Sequence, residues 1–259
     1  MCTLTLVTQN DGYLLAMNRD EKVARDAGTN PEVHEFNGTR ALYPGDRTGG
    51  TWIAANEHGI ALALLNWNVP TPSLAASRQP QSRGQLIPTL AGSRSMAELL
   101  AALSVLDLEH TPPFRLIGIF ASEQSVQEWR WNSKDLSLVA HPWKSRHWFS
   151  SGLSDEEALR LRGATCDIFW NEHDAGSSAW LRRLHASHAD GPGAFSVCVH
   201  RNDVQTLSYT EICCSSSRIA IEHFIGSPCT MKQGHSAAMQ RVAVPALPAA
   251  AKPSALQLF

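Results

Sequence analysis

The stretch from Cys2 to Glu21 constrains this chain more than any other. Cys2 to Thr8 is rich in Thr, Leu and Val and reads as a strand. Asn10-Asp11-Gly12 is a turn signal, and Tyr13 to Met17 reads as a second strand. An antiparallel pair of this length returns Asn18-Arg19-Asp20-Glu21 close to Cys2. The fold must therefore accommodate a hairpin that contains the extreme N-terminus and ends in a cluster of charge.

Further along, residues 26 to 50 carry Gly, Pro, Asn and Asp and read mostly as loop, ending in Gly49-Gly50. Thr51 to Asn56 and Gly59 to Trp67 form another expected strand pair. Their near-continuous apolar character predicts cover on both faces. Pro70 to Ser82 reads as a polar loop. Two helices follow, the second opened by Ser95 and Glu98 at capping-box spacing. A meander is expected at Arg115 to Ala121, Val126 to Trp131 and Leu136 to Ala140. Ser154 and Glu157 open a helix to about His173, and Ala179 to His188 reads as helical. Strands return at Phe195 to Val199, Thr206 to Ile212 and Ile219 to Phe224. Strands and helices in alternating blocks predict an α+β fold with antiparallel sheet covered by helices. Residues 1–235 read as one domain, and 236–259 as a loose Ala/Pro-rich tail.

Composition removes several function classes. With 259 residues and 43% hydrophobic content, a full core needs no staples, and about 70% of the extended chain's surface is buried on folding. The net charge of −2 offers no basic field for nucleic acid. The longest apolar run, Gly59 to Leu65, is too short for a transmembrane segment. The N-terminus lacks a basic leader and a cleavage site. Six cysteines do not make a disulfide framework, so a reducing, cytoplasmic setting is expected.

Cys2 is the first candidate for chemistry. Removal of Met1 leaves a thiol and a free α-amine on one residue, a nucleophile beside a base. Read on position alone, Cys2 is a small hydrophobe buried at a strand edge. Arg19 could hold a thiolate or a substrate carboxylate, and Asp20 could orient the α-ammonium. The plain alternative is a solvated charge pair at a strand end.

Met1-Cys2-Thr3 together with Asn18-Arg19-Asp20-Glu21 resembles the NRDE family, whose animal members are called transport and Golgi organisation protein 2. Gly49-Gly50-Thr51-Trp52, Asn56 with Gly59, Asn66-Trp67-Asn68, Ser82-Arg83-Gly84 and Ser196-Val197-Cys198-Val199 extend the resemblance to about residue 230. The sequence departs at Lys22, where an aromatic is expected, and at Ala54, where Gly is expected. The resemblance implies the four-layer αββα sandwich of the N-terminal-nucleophile (Ntn) hydrolases, whose look-alikes include choloylglycine hydrolases and penicillin V acylases. Carried over, Cys2 is nucleophile and base, Arg19 and Asp20 are its supports, and Asn66 or Asn68 donates to an oxyanion. Arg218 resembles a further active-site Arg by position only. Trp52 and Trp67 could line an apolar acyl pocket, though each is as easily a core aromatic.

The function this resemblance implies is haem or lipid (acyl) ligand binding and trafficking. The alternative is a cysteine amidohydrolase acting on an amide with an apolar acyl group. No cofactor is required, haem entering only as a carried ligand. A haem carrier needs an apolar slot and a Cys, His, Met or Tyr axial ligand. Eleven His and five Met supply candidates without singling one out. His185 and His188 sit at i, i+3 and could share a ligand, but a solvated helix face is the expected reading. Cys213-Cys214 lacks CxxC spacing and reads as strand residues facing opposite ways. No metal ligands are assigned. The ending Ala255-Leu256-Gln257-Leu258-Phe259 resembles the short peptide by which bacterial proteins bind the DNA sliding clamp, a weak signal.

Overall fold

A computed structural model describes residues 2–69, 81–189, 191–231 and 233–242. The N-terminal hairpin forms as expected, with β1 (Cys2–Gln9) pairing antiparallel to β2 (Gly12–Lys22). The meander β3 (Pro31–Phe36), β4 (Thr39–Pro44), β5 (Ile53–Asn56) and β6 (Ile60–Asn66) follows. Then come α1 (Leu86–Leu90), α2 (Met96–Ser104), β7 (Phe114–Phe120), β8 (Ser125–Trp131), β9 (Leu136–His141) and β10 (Arg146–Ser150). The chain continues through α3 (Asp155–Phe169), α4 (Ser178–His185), β11 (Val204–Cys214), β12 (Arg218–Ile225) and β13 (His235–Gln240).

These strands make two antiparallel sheets. One has six strands in the order β10-β1-β2-β11-β12-β13, the other seven in sequence order from β3 to β9, with β6 beside β7. Three apolar clusters define the layers. Leu4, Leu6, Leu15 and Met17 of the first sheet meet Ile53, Ala61, Ala63 and Ile117 of the second. Leu62, Leu64 and Leu116, on the opposite face of the second sheet, pack with Leu90, Leu99 and Leu103 of α1 and α2. Leu14 and Ala16, on the outer face of the first, pack with Ala158, Cys166, Trp180 and Leu184 of α3 and α4. The period-2 alternation of a strand produces this division, sending neighbouring residues to opposite cores. The result is an α+β, four-layer αββα sandwich. No helix among the described residues is long and apolar enough to cross a membrane.

The capping serines act as expected. Ser95 Oγ accepts from the Glu98 amide at 3.2 Å, and Ser154 Oγ from the Glu157 amide at 3.1 Å. Four expectations need correction. Residues 31–36 and 39–44 are strands rather than loop, joined through Asn37 (φ 51°) and Gly38 (φ 79°). The helix opened by Ser154 ends at Phe169, not near His173. Phe195 to Val199 is no strand; only Val199 makes an isolated bridge, to Gly193. The expected tail begins too early at Ser236, because Ser236 to Gln240 pair with β12 as part of β13. Most of the expected Pro70–Ser82 loop, and the clamp-like ending at 255–259, lie outside the described residues.

Candidate functional site

The register of the first hairpin places Cys2 directly opposite Arg19, so the two side chains share a face. That face is the inter-sheet one. Cys2 belongs to the inter-sheet core, and the Arg19 guanidinium lies 4.4 Å from the centroid of Trp52, which belongs to the same core. Arg19 Nη1 donates to the Asp26 carbonyl at 2.6 Å, which fixes the side chain over the indole. Trp52 also stands against His223, ring to ring at 5.9 Å.

Two further half-buried arginines lie in electrostatic reach of Cys2. Arg83 donates to the Pro113 carbonyl at 2.9 Å. Arg115 reaches from β7 to the Phe149 carbonyl of the other sheet at 2.5 Å. Its Nε lies 3.8 Å from Glu128. Burial works against charge on Glu128, but hydrogen bonds from Arg130 and His141 and the Arg115 charge outweigh it and hold this carboxyl below its ordinary value. Burial lowers the pKa values of Arg19, Arg83 and Arg115, and each of these cations is in electrostatic reach of the Cys2 sulfur. Arg83 is carried by a tight crossing. The Thr51 amide donates to the Gly84 carbonyl at 2.9 Å, and a Cβ on Gly50 would meet Gly84 backbone at 3.1 Å. The Gly49-Gly50-Thr51-Trp52 and Ser82-Arg83-Gly84 motifs are thus two sides of one contact.

Asp20 occupies the other face of the hairpin. Its Oδ1 accepts from Thr206 Oγ1 at 2.6 Å, and its Oδ2 lies 3.5 Å from Arg162 Nη1. Burial raises the Asp20 carboxyl above its usual range, with Arg162 pulling the other way. Burial also pushes the Cys2 thiol up, and the Asp20 charge adds to this. Arg19 and the Asp20 backbone N–H oppose that rise without cancelling it. Arg19 thus faces a thiol whose pKa burial holds above its ordinary value.

Arg162 is the residue that sequence reasoning missed. It is fully buried, on the sheet-facing stripe of α3 with Ala158, Thr165 and Cys166. It donates to the Cys2 carbonyl at 3.3 Å, Thr3 Oγ1 at 3.0 Å and the Ser150 carbonyl at 3.4 Å. The Cys2 amide in turn donates to Ser150 Oγ at 3.0 Å. An Arg spaced i, i+4 from Ala158 on an otherwise small-residue stripe was the available signal.

The remaining candidates separate. Asn66 closes β6, opposite Phe114, and β6 packs against β1 and β10. Asn68 is exposed, and its side-chain N–H is given to the Ser151 carbonyl at 2.7 Å. Trp67 is half-buried, its amide donating to Pro113 at 3.3 Å. Arg218 does not join them. Ile219, the next residue, pairs with Cys214, which pairs with Tyr13, whereas Arg19 pairs with Ser208. Arg218 thus lies at the opposite end of the sheet, roughly 20 Å away at strand spacing. The solvated-face reading of His185 also fails: it is fully buried and bonded to Thr5 Oγ1 at 2.9 Å.

Penicillin V acylase from Agrobacterium tumefaciens is similar in structure, with TM-score 0.51 at 14% identity over 86% of this chain and 82% of that one. Two variants of conjugated bile acid hydrolase from Clostridium perfringens also match. One has TM-score 0.45 and 13% identity over 85% of this chain and 88% of that chain. The other has TM-score 0.47 and 12% identity over 96% and 100%. The fold is that of the Ntn hydrolases. No curated protein matches in sequence. The sequence profile of the Transport and Golgi organisation 2 (TANGO2) family matches residues 1–158, more than half of the chain and including Cys2, Arg19 and Asp20, so this protein belongs to the TANGO2 family.

Proposed function

We propose that the inter-sheet end around Cys2 binds a small apolar ligand that carries a carboxylate, haem or an acyl compound, within the ligand handling and trafficking that the NRDE resemblance implies. One observation carries this reading. Arg19 stands opposite a buried sulfur at the edge of an apolar core, stacked on an indole face, with Arg83 and Arg115 in electrostatic reach. Such a setting offers cations to a carboxylate head and apolar wall to its body. Cys2 would serve haem as an axial thiolate, its proton lost on ligation. Asn66 and Trp67 would flank the ligand from β6. A cytoplasmic location belongs to the same proposal.

The experiment is a haem titration followed by the Soret band, with a long-chain fatty acid as competitor. Saturation near micromolar protein is expected, weakened about tenfold in Arg19→Ala, the loss of one charge-assisted contact. No saturable change defeats the reading.

A second reading, amide hydrolysis, is favoured by the backbone of Cys2. Its amide and carbonyl are both held, by Ser150 and Arg162, as a fixed nucleophile requires. In this reading Met1 is removed, the Cys2 α-amine takes the thiol proton, and the sulfur attacks an amide carbonyl. The amine leaves with that proton, and water then splits the thioester to free acid and thiol. Asn68 is committed to Ser151, which leaves Asn66 as the oxyanion donor to examine. Penicillin V and a conjugated bile acid are the probes. Turnover lost in Cys2→Ser supports hydrolysis; retained Met1 in the intact mass ends the free-amine mechanism.

A further inference from the structure

Away from Cys2, on the helix side of the first sheet, four side chains from three segments converge. His188 follows the end of α4. Cys198 and His200 flank Val199 in the connection to β11. Cys229 lies in the turn after β12, where the Thr230 amide donates to the Ser227 carbonyl at 2.9 Å. One ligating atom from each of the four lies within 4.8 Å of every other. Cys198 Sγ is 3.5 Å and Cys229 Sγ 3.3 Å from the same His200 nitrogen, Nε2. The His188 and His200 rings stand 4.9 Å apart, edge to face, and His188 Nε2 is buried without a hydrogen-bond partner.

We propose that His188, Cys198, His200 and Cys229 form a structural zinc site. A tetrahedral Zn²⁺ with bonds of about 2.3 Å to sulfur and about 2.0–2.1 Å to nitrogen sets neighbouring S and N ligands about 3.5 Å apart. Both S···N separations already have that value within 0.2 Å. Drawing in the widest pair takes side-chain movement on the order of 1 Å. Two thiols and two imidazoles are a donor set that suits zinc, and four protein ligands leave no open position. Each thiol gives its proton to solvent as it binds, so the metal is held by two thiolates and two neutral imidazoles. Neither sulfur is in a disulfide.

The location gives the site a purpose. The Cys198 amide donates to the Ser187 carbonyl at 3.0 Å, and the Val199 amide donates to Thr206 Oγ1 at 2.8 Å. That hydroxyl donates to Asp20, and Asn18 Nδ2 donates to the Val197 carbonyl at 2.9 Å. Ser227 Oγ donates to the Thr206 carbonyl at 2.9 Å. A metal at the four ligands would rivet the segment that seats Asn18 and Asp20 to the β12–β13 turn. Zinc binding here does not depend on what Cys2 does.

The test uses the full chain. Zinc is counted in the protein purified under reducing conditions, and Co²⁺ is titrated into protein stripped by chelator. The expected result is about one equivalent of zinc per chain and the visible absorption of tetrahedral cobalt, with thiolate-to-cobalt charge transfer. Cys229→Ser and His188→Ala should each weaken Co²⁺ binding at least tenfold, while Cys213→Ser, in an exposed strand residue outside the cluster, should leave it unchanged. A Cys198–Cys229 disulfide in the purified protein, absence of the tetrahedral cobalt spectrum in the wild type, or an unaltered spectrum in folded Cys229→Ser would each overturn the site. The wild-type cobalt spectrum decides the question even where a variant fails to fold.

Discussion

On one face of the β1–β2 hairpin, Cys2 and Arg19 look into the inter-sheet core. On the other, Thr3, Thr5, Asn18 and Asp20 look toward α3 and α4. The first face ends in a thiol and a cation stacked on an indole. The second is a network of side-chain hydrogen bonds. Trp170 Nε1 donates to His147 Nε2 at 2.8 Å, so the other ring nitrogen of neutral His147 carries the proton and donates to Thr5 Oγ1 at 2.9 Å. The Thr5 hydroxyl is then free to donate to His185 Nε2 at 2.9 Å. Asn18 Nδ2 joins the carbonyls of His185 and Val197, both at 2.9 Å. The contrast teaches a division of labour. Polar groups buried under the sheet hold the hairpin in place, while the face above it presents a sulfur and a cation to the inter-sheet core. Stability and reactivity should therefore respond to different substitutions.

The largest effect is expected from Arg162→Ala, which removes the cation facing Asp20 and the donor to the Cys2 carbonyl. A loss of about 3–5 kcal/mol in urea denaturation is expected. A loss below about 1 kcal/mol would mean that the helix-side network does not hold the hairpin.

Acid should act next, through the same face. Burial holds His147 at about 4 and His185 at about 3. Their folded pKa values lie below the unfolded value near 6.5, so the stability they confer is complete above pH 6.5 and is lost as pH falls toward 4 for His147 and toward 3 for His185. Two such sites give a slope of at most about 3 kcal/mol per pH unit in that window. Removal of one in His147→Gln should flatten the profile, measured as Tm against pH.

Asn18→Ala deprives two buried carbonyls of their donor, for an expected cost of about 1–3 kcal/mol by the same denaturation. Cys2→Ala should change stability least, by about 1 kcal/mol, while abolishing whatever the thiol does. Because burial encloses that thiol and raises its pKa, alkylation of Cys2 in the native protein should be slower than alkylation of exposed Cys213, read by peptide mass. Rapid selective labelling of Cys2 would sharpen the comparison in the opposite direction, toward an activated nucleophile.

The hairpin and its opposition of Cys2 to Arg19 were legible because turn chemistry and strand period sufficed to place them. The β3–β4 hairpin was equally legible but overlooked: Asn37-Gly38 is the two-residue turn signal, masked by the exposed Glu32, Val33 and Glu35 on an edge strand. β10 carries no apolar alternation in Arg146–Ser150, and only its pairing with β1 makes it a strand. Phe195 to Val199 has strand composition, but Asn18 and Thr206 side chains take the carbonyl of Val197 and the amide of Val199 that a ladder would need. Closeness in sequence sets Asp20 beside the sulfur, yet alternation alone sends its side chain to the face opposite Arg19. The i, i+4 spacing of Arg162 from Ala158 marks it as buried but not what it bonds, and the His188/Cys198/His200/Cys229 cluster depends on contacts far apart in sequence, which no local spacing announces.

The seven-stranded sheet pairs mostly along the chain, whereas β1 waits for β10 and β2 waits for β11, with Cys2 opposite Ser150 and Arg19 opposite Ser208. Loop closure over such distances is slow, and it must precede any reward from the contacts it makes. The β1–β2 hairpin, made before β10 and β11, is thus among the last elements to gain its neighbours, and until Val204–Cys214 has been made, the inter-sheet core lacks Ile212 and Cys214 as well as the strands that pair after them. Nascent chains halted before that point should be the ones that chaperones hold.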